Sequence, residues 1–407
     1  MDYLVLTKVH GAILGPISQI LGWILNVLVT FTNSFGVLNI GLSIILFTLV
    51  VKLLMFPMTI KQQKASKLMA VMQPELQAIQ AKYKGKTDND SMMKMNVETK
   101  AVYEKYGTSM TGGCLQLVIQ MPILFALYRV IYCIPAYVMP VKEHFLNVVY
   151  ALTGTSSASV LSEGAAANLL QFATDHNIAL TGINPIGDLT GVTGEALANK
   201  MVDILYKLNP AQWNDLAQAF PNAADVISTN ASTIEKMNTF LGINLASNPF
   251  NGSFVPSLAW LIPILAGLTQ YASTKLMMAT QPKKNNEEDM SSQMMQSMNV
   301  TMPLMSVFFC FTFPAAIGIY WVASSTFQLL QQLVVNSYLD KVDMDELIRK
   351  NVEKANKKRA KKGLPPQKVN QNATASLKHM QAVQEKEEAE RAEKLEKSKK
   401  QVEASNN

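Results

Sequence analysis

The run GLSIILFTLVVKLLMFPM, residues 41–58, is 18 residues long and carries one charge, Lys52. As a helix it reaches about 27 Å, close to the ~30 Å hydrocarbon core of a bilayer. Backbone groups in lipid must satisfy each other, so such a run confines the chain to a helical membrane fold. A charge in hydrocarbon costs roughly 2.5 kcal/mol or more, which makes Lys52 a functional candidate. The competing reading is a lysine that snorkels to the interface, about six residues, or ~9 Å, away. Side chains on a helix lean toward its N-terminus. If this helix enters from outside, Lys52 leans into the membrane, with Thr48 one turn away on the same face.

Other apolar runs also carry polar stripes. Gln116 and Gln120 are four apart and share a helical face, as do Trp321, Ser324, Ser325, Gln328 and Gln332. Gln270 adds a polar group to a third run. The glutamine pair also fits plain helix–helix hydrogen bonding. Taken with Lys52, the stripes point to a wet cavity holding one positive charge.

The charges lie in blocks, at 59–106, 279–290 and 340–407, and apolar residues fill the gaps. That is the distribution of a polytopic membrane protein. Lys61, Lys64, Lys67, Lys82, Lys84 and Lys86 follow the first run, and Lys354, Lys357, Lys358, Arg359, Lys361 and Lys362 mark the tail. Residues 141–255 lack arginine and carry Glu143, Asp175, Asp203 and Asp215 among other acids. The positive-inside rule puts the first two regions in the cytoplasm and the third outside. The start, MDYLVLTKVHG, lacks the layout of a cleavable signal. Cys114, Cys133 and Cys310 read as packing residues, and four scattered histidines suggest no metal site. No nucleophile–base pair, carboxylate cluster or phosphate loop argues for an enzyme, and no cofactor is implied.

The sequence divides into an extracytoplasmic N-terminus at 1–37 and five spans: 38–58, 113–134, 256–277, a short 300–313, and 314–336. Residues 12–31 read as an amphipathic helix lying peripherally on the outer surface, with a sixth span as the alternative. Residues 59–112 form a cytoplasmic helical hairpin. Leu68, Met72, Leu76, Ile79 and Tyr83 face Met92, Met95, Thr99, Val102 and Tyr106 across heptad-like stripes. Residues 135–255 are an extracytoplasmic loop with a helical insert, including helices near 195–208 and 211–219. Residues 278–299 are a cytoplasmic loop, and 337–407 a basic, largely disordered tail. Asn230-Ala231-Ser232 fits a glycosylation sequon, a pattern common by chance. The fold class is all-α and polytopic, a five-helix transmembrane core.

Four stretches then resemble the YidC/Oxa membrane protein insertases. They are GLSIILFTLVVKLLMFPMTIKQQKASKLMAVMQPELQAIQAKYK, GGCLQLVIQMPILFALY, FLGINLA with WLIPILAGLTQY, and MPLMSVFFCFTFPAAIGIYWVASSTFQLLQQ. They cover about 12–140 and 239–338. The resemblance implies five helices around a hydrophilic groove, open to cytoplasm and lipid and closed outside. Lys52 stands where the family commonly has arginine, which keeps the charge but loses the forked donor. The groove would be lined by Lys52, Thr48, Gln116, Gln120, Gln270, Trp321, Ser324 and Gln328. Two departures stand out. Gln116 replaces a usual proline, and Ser109-Met110 replaces a common Asn-Pro.

The implied function is insertion of nascent membrane proteins into a bacterial plasma membrane, without nucleotide hydrolysis, alone or with the Sec translocon. Implied partners are the nascent chains, membrane lipids, the ribosome through the basic tail, and the signal recognition particle and its receptor through the hairpin. A transporter or channel would call for internal repeats and paired broken helices, and neither is visible. A purely structural partner of the translocon would need no interior charge.

Overall fold

The structure is a computed structural model. It describes residues 11–86, 88–107, 112–162, 164–178, 189–250, 257–279, 290–339, 341–361 and 363. At 70, 112–120, 278–279, 290–299, 344 and 358 the backbone alone is described. In chain order the elements are α1 (Leu14–Ser34), α2 (Ile40–Lys82), α3 (Asn89–Lys105), α4 (Gly112–Tyr132), α5 (Ile134–Tyr137) and α6 (Met139–Thr153). Then come α7 (Ala167–Asp175), α8 (Gly194–Leu205), α9 (Pro210–Ala219) and α10 (Ala224–Asn238). Strands β1 (Thr239–Phe240) and β2 (Ile243–Asn244) precede α11 (Leu261–Ala279), α12 (Met290–Thr312), α13 (Ala315–Leu339) and α14 (Met344–Ala360). The chain forms two compact units. One holds residues 1–58 and 117–334, the other 59–116 and 335–407.

In the first unit α1 packs on α5 and α6. Its 21 residues give about 31 Å of helix. Ser18 and Asn26 of α1 turn toward protein, while Ile20, Trp23, Val27 and Phe31 are exposed. Asn26 Oδ1 accepts from the Met139 N–H at 2.8 Å, so it caps the first turn of α6. By length and composition, two helices among the described residues can cross a membrane, Leu14–Ser34 and the Ile40–Met69 part of α2. Val300–Thr312 is the short apolar end of α12, which begins ten residues earlier than the sequence suggested.

Helices α6 to α10 form a packed insert. Phe145, Val148, Leu169, Met201, Trp213 and Ile227 belong to one buried cluster. The expected helices near 195–208 and 211–219 are α8 and α9, and α9 starts with an Asn209–Gln212 capping box. Asn230 of the sequon is buried; its Nδ2 donates to Val226 O at 2.9 Å and its Oδ1 meets His144 Nδ1 at 3.1 Å. That side chain is committed to the core of the insert.

The all-α expectation needs one amendment, because β1 and β2 make a short antiparallel hairpin. Leu241 and Gly242 turn it, both at positive φ, as a two-residue turn of the primed type requires. The chain after it serves as a cradle for two helix ends. Leu245 O and Ser247 O accept from the N–H groups of Ala316 and Ala315 at 3.0 and 2.9 Å. Asn248 Nδ2 and the Phe250 N–H donate to Thr312 O and Phe311 O at 3.1 and 3.2 Å. One strip of chain thereby satisfies orphan acceptors of α12 and orphan donors of α13.

In the second unit the distal part of α2 and α3 form the expected helical hairpin. Leu68, Met72 and Leu76 close on Val102 and Tyr106. The Glu75 carboxylate accepts from Lys105 Nζ at 2.7 Å and Tyr106 OH at 2.8 Å. The stripe opens toward the tip, where Met92 is exposed. The tail departs from expectation at its root. Residues 344–360 are the helix α14, capped by Asp343, with Ile348 and Val352 buried in the hairpin cluster. Its two buried apolar residues sit four apart on one face of a helix that is otherwise mostly charged or polar. The tail from 364 lies outside the described residues.

Candidate functional site

Helix α13 carries the longest polar stripe, and it is the wall from which the site is built. Ser325 is buried, its Oγ 3.1 Å from Gln270 Oε1 on α11 and 2.9 Å from Trp321 O. A hydroxyl has one proton, so these two acceptors share it. Gln270 Nε2 reaches Thr274 Oγ1 at 3.5 Å. Trp321 is half-buried, its ring 6.4 Å from that of Phe309 on α12. Ser324 and Gln328 are half-buried on the same helix, and Gln332 is buried.

One turn further along α13, Gln331 Nε2 donates to the backbone carbonyl of Lys52 at 3.0 Å. A carbonyl has two lone pairs, so this bond adds to the helical one. The stripe on α13 therefore reaches α11 through Ser325 and α2 at Lys52 itself. Lys52 is half-buried, and its ammonium has no hydrogen-bond or ion-pair partner among the described residues. No Asp or Glu occurs within α4, α11, α12 or α13, nor within residues 40–58 of α2.

Thr48 is buried one turn from Lys52, but its hydroxyl donates to Ile44 O at 2.7 Å within its own helix. The side chains of Gln116 and Gln120 lie outside the described residues; the backbone there belongs to α4. Sequence reasoning missed Gln331, although it lies three residues from Gln328 and seven from Ser324 on the same helical face. It also passed over Arg129, in the last turn of α4, where a cation complements the helix carbonyls. A separate cavity of about 340 Å³ lies between the insert and the cradle, lined in part by Tyr132, Asp203, Lys207, Asn209, Asn244 and Asn248. It shares no residue with the stripe.

Residues 30–160 and 216–342 match the family described as 60Kd inner membrane protein, which is more than half of the chain. The chain belongs to this family. Among its curated relatives, membrane protein insertase YidC of Oceanobacillus iheyensis is 28% identical over 307 residues, 75% of this chain and 78% of that one. Membrane protein insertase MisCA of Bacillus subtilis is 25% identical over 311 residues, 76% of each. A local match to YidC 1 of Halalkalibacterium halodurans reaches 40% over 111 residues, 27% of this chain and 41% of that one. The family blocks contain Lys52, Gln270, Trp321, Ser324, Gln328 and Gln331. They leave out residues 161–215, which hold α7, α8 and the first six residues of α9.

Proposed function

We propose that this protein inserts nascent proteins into the membrane, and that Lys52 with the α13 stripe forms the groove that receives them. The observation that carries this reading is the join between α13 and α2 at Lys52, with no carboxylate on α13 or within residues 40–58 of α2. A lysine kept only as an anchor has no need of a polar wall on the neighbouring helix. The names of the relatives support the same activity.

In this reading five helices span the membrane, at 38–58, 113–134, 256–277, 300–313 and 314–336, with the N-terminus outside and the tail in the cytoplasm. The groove, lined by Lys52, Gln120, Gln270, Trp321, Ser324 and Gln328, opens to the cytoplasm and stays wet part-way across the bilayer. A polar tail of a client then crosses a shorter apolar path, and the short apolar end of α12 thins it further. The Lys52 cation attracts acidic groups of the tail through a low dielectric. Apolar burial and the membrane potential drive transfer, with no nucleotide step. The Sec translocon, the signal recognition particle and its receptor, and the ribosome are the partners this reading assigns. The apolar outer face of α1 rests in lipid.

Complementation of insertase-depleted cells tests the proposal, with wild type, Lys52→Arg, Lys52→Ala and Lys52→Glu compared at matched abundance. The readout is insertion of a single-span substrate with an acidic outer tail. Arg is expected to function while Ala and Glu lose most of the insertion. Equal insertion by all four would make Lys52 a snorkelling anchor and remove the charged groove.

A further inference from the structure

The turn of the β-hairpin holds a residue that the turn itself does not favour. Leu241 lies in the left-handed region at φ +51° and is 79% exposed. For a bulky residue that backbone is strained, whereas Gly and Asn adopt it readily. Ile243 and Leu245 belong to the buried cluster of the first unit and Leu241 does not, so the interior of the protein does not offset the strain.

Two contacts set the level of this tip. The Phe240 ring lies against Gly41, and Thr239 O accepts from Asn39 Nδ2 at 2.9 Å. Gly41 and Asn39 flank Ile40, where the apolar span of α2 begins. The tip therefore stands at the end of a membrane-crossing helix. On its other side a Cβ on Gly242 would stand 3.4 Å from Leu258 Cδ2. Leu258 and Leu261 are 54% and 50% exposed, and Leu265 and Leu268 continue the apolar surface along α11. Trp260, a residue type that marks the headgroup level, is half-buried beside them, its ring 5.1 Å from that of Phe311. From Met237 to Thr274 the sequence has no Asp, Glu, Lys, Arg or His. An exposed apolar patch that serves a soluble partner is rimmed by polar groups. This one instead runs into the apolar side of α11 without meeting a charge.

We propose that Leu241 anchors the β-hairpin in the outer leaflet of the bilayer, its side chain among the acyl chains just below the headgroups. Apolar burial in lipid then offsets the strain of the turn. The anchor acts on the cradle, because residues 245–250 follow directly from β2 and bond the ends of α12 and α13. Lipid contact at one turn fixes the depth at which that junction sits. The proposal goes beyond insertion activity. It rests only on the part of the reading above that places α11 in the membrane and the hairpin on its outer side.

The test uses spin labels on the full chain in nanodiscs of phosphatidylcholine and phosphatidylglycerol, with no other protein present. Leu241→Cys and Leu265→Cys are labelled in turn, and the unsubstituted chain supplies the background from its own cysteines. Oxygen concentrates among acyl chains and a nickel chelate in water, so the balance of relaxation by the two reports the surroundings. Both labels are expected to relax faster with oxygen than with nickel. Nickel-dominated relaxation at Leu241 with oxygen-dominated relaxation at Leu265 overturns the anchor alone and leaves the patch to a protein partner. Nickel dominance at both overturns the placement of α11 and the anchor with it. A second variant separates anchoring from turn formation. Asn suits the left-handed turn, so a turn role alone would make Leu241→Asn slow hydrogen exchange at residues 239–244. Loss of the lipid contact is expected to speed that exchange by about 5-fold in the same nanodiscs. Leu241→Met, which stays apolar, is expected to keep the wild-type rate. Slower or unchanged exchange in Leu241→Asn overturns the proposal.

Discussion

Gly41 has no side chain because the Phe240 ring fills the place. A Cβ on Gly41 would stand 2.5 Å from Phe240 Cγ, and a ring held by the β-hairpin cannot swing away as a flexible chain end could. The same corner is tied by Asn39, whose Nδ2 donates to Thr239 O at 2.9 Å while its Oδ1 accepts from the Leu42 N–H at 3.1 Å. Gly41→Ala should therefore destabilise the protein by about 1–3 kcal/mol, the usual penalty for overpacking. Phe240→Ala in the same chain should recover much of that loss, because it empties the space. Thermal unfolding of the four members of this cycle in detergent checks the pair. Additive losses would mean that the two residues do not meet.

Among elements, the hairpin seam shows most directly how polar groups can hold a helix pair. Tyr106 is buried and its hydroxyl donates to Glu75 at 2.8 Å. Burial, and then that hydrogen bond, push the Tyr106 hydroxyl above the ordinary tyrosine range. A raised folded value means that its stabilisation is fully present below the unfolded value of about 10 and fades as pH climbs past it. Hydrogen exchange of α3 should accordingly stay flat from neutral pH to about 10, after correction for intrinsic rates, and rise above that. Tyr106→Phe should cost about 1–3 kcal/mol and abolish the alkaline rise. A rise that survives the substitution would assign the alkaline change to another group. The seam was legible in the sequence because Leu68, Met72, Leu76, Val102 and Tyr106 repeat at helical spacing. Helix α14 was not, because Ile348 and Val352 are diluted among charges and read as a solvated tail. The stripe on α13 was visible from Ser324, Ser325 and Gln328. Its bond to the Lys52 carbonyl was not, since backbone acceptors leave no mark in a sequence. Period alone likewise does not say which side of α1 is protein, and its polar Ser18 and Asn26 turn toward it.

At the scale of the whole molecule, the family blocks pass over residues 161–215, yet that stretch is not a dispensable loop. Its helix α8 packs on α6, and α9 packs on α10. Excising 161–215 behind a short linker should leave Phe145, Val148 and Ile227 bare, with low abundance and rapid proteolysis of the remainder. Replacing those three residues with polar ones in the excised chain should restore some of the abundance. A stable, active excised chain would show instead that α6 and α10 find another packing. The cradle after β2 has a consequence of a different kind, in time. Thr312 leaves the ribosome 64 residues after the Asn248 that bonds it. At ~5–20 residues per second the wait is roughly 3–13 s. During that interval the donors of the cradle stand empty, and its acceptors wait a few residues longer for the first N–H groups of α13. The junction is thus written backwards in the chain, socket first and plug last, and it closes only after α12 has been made.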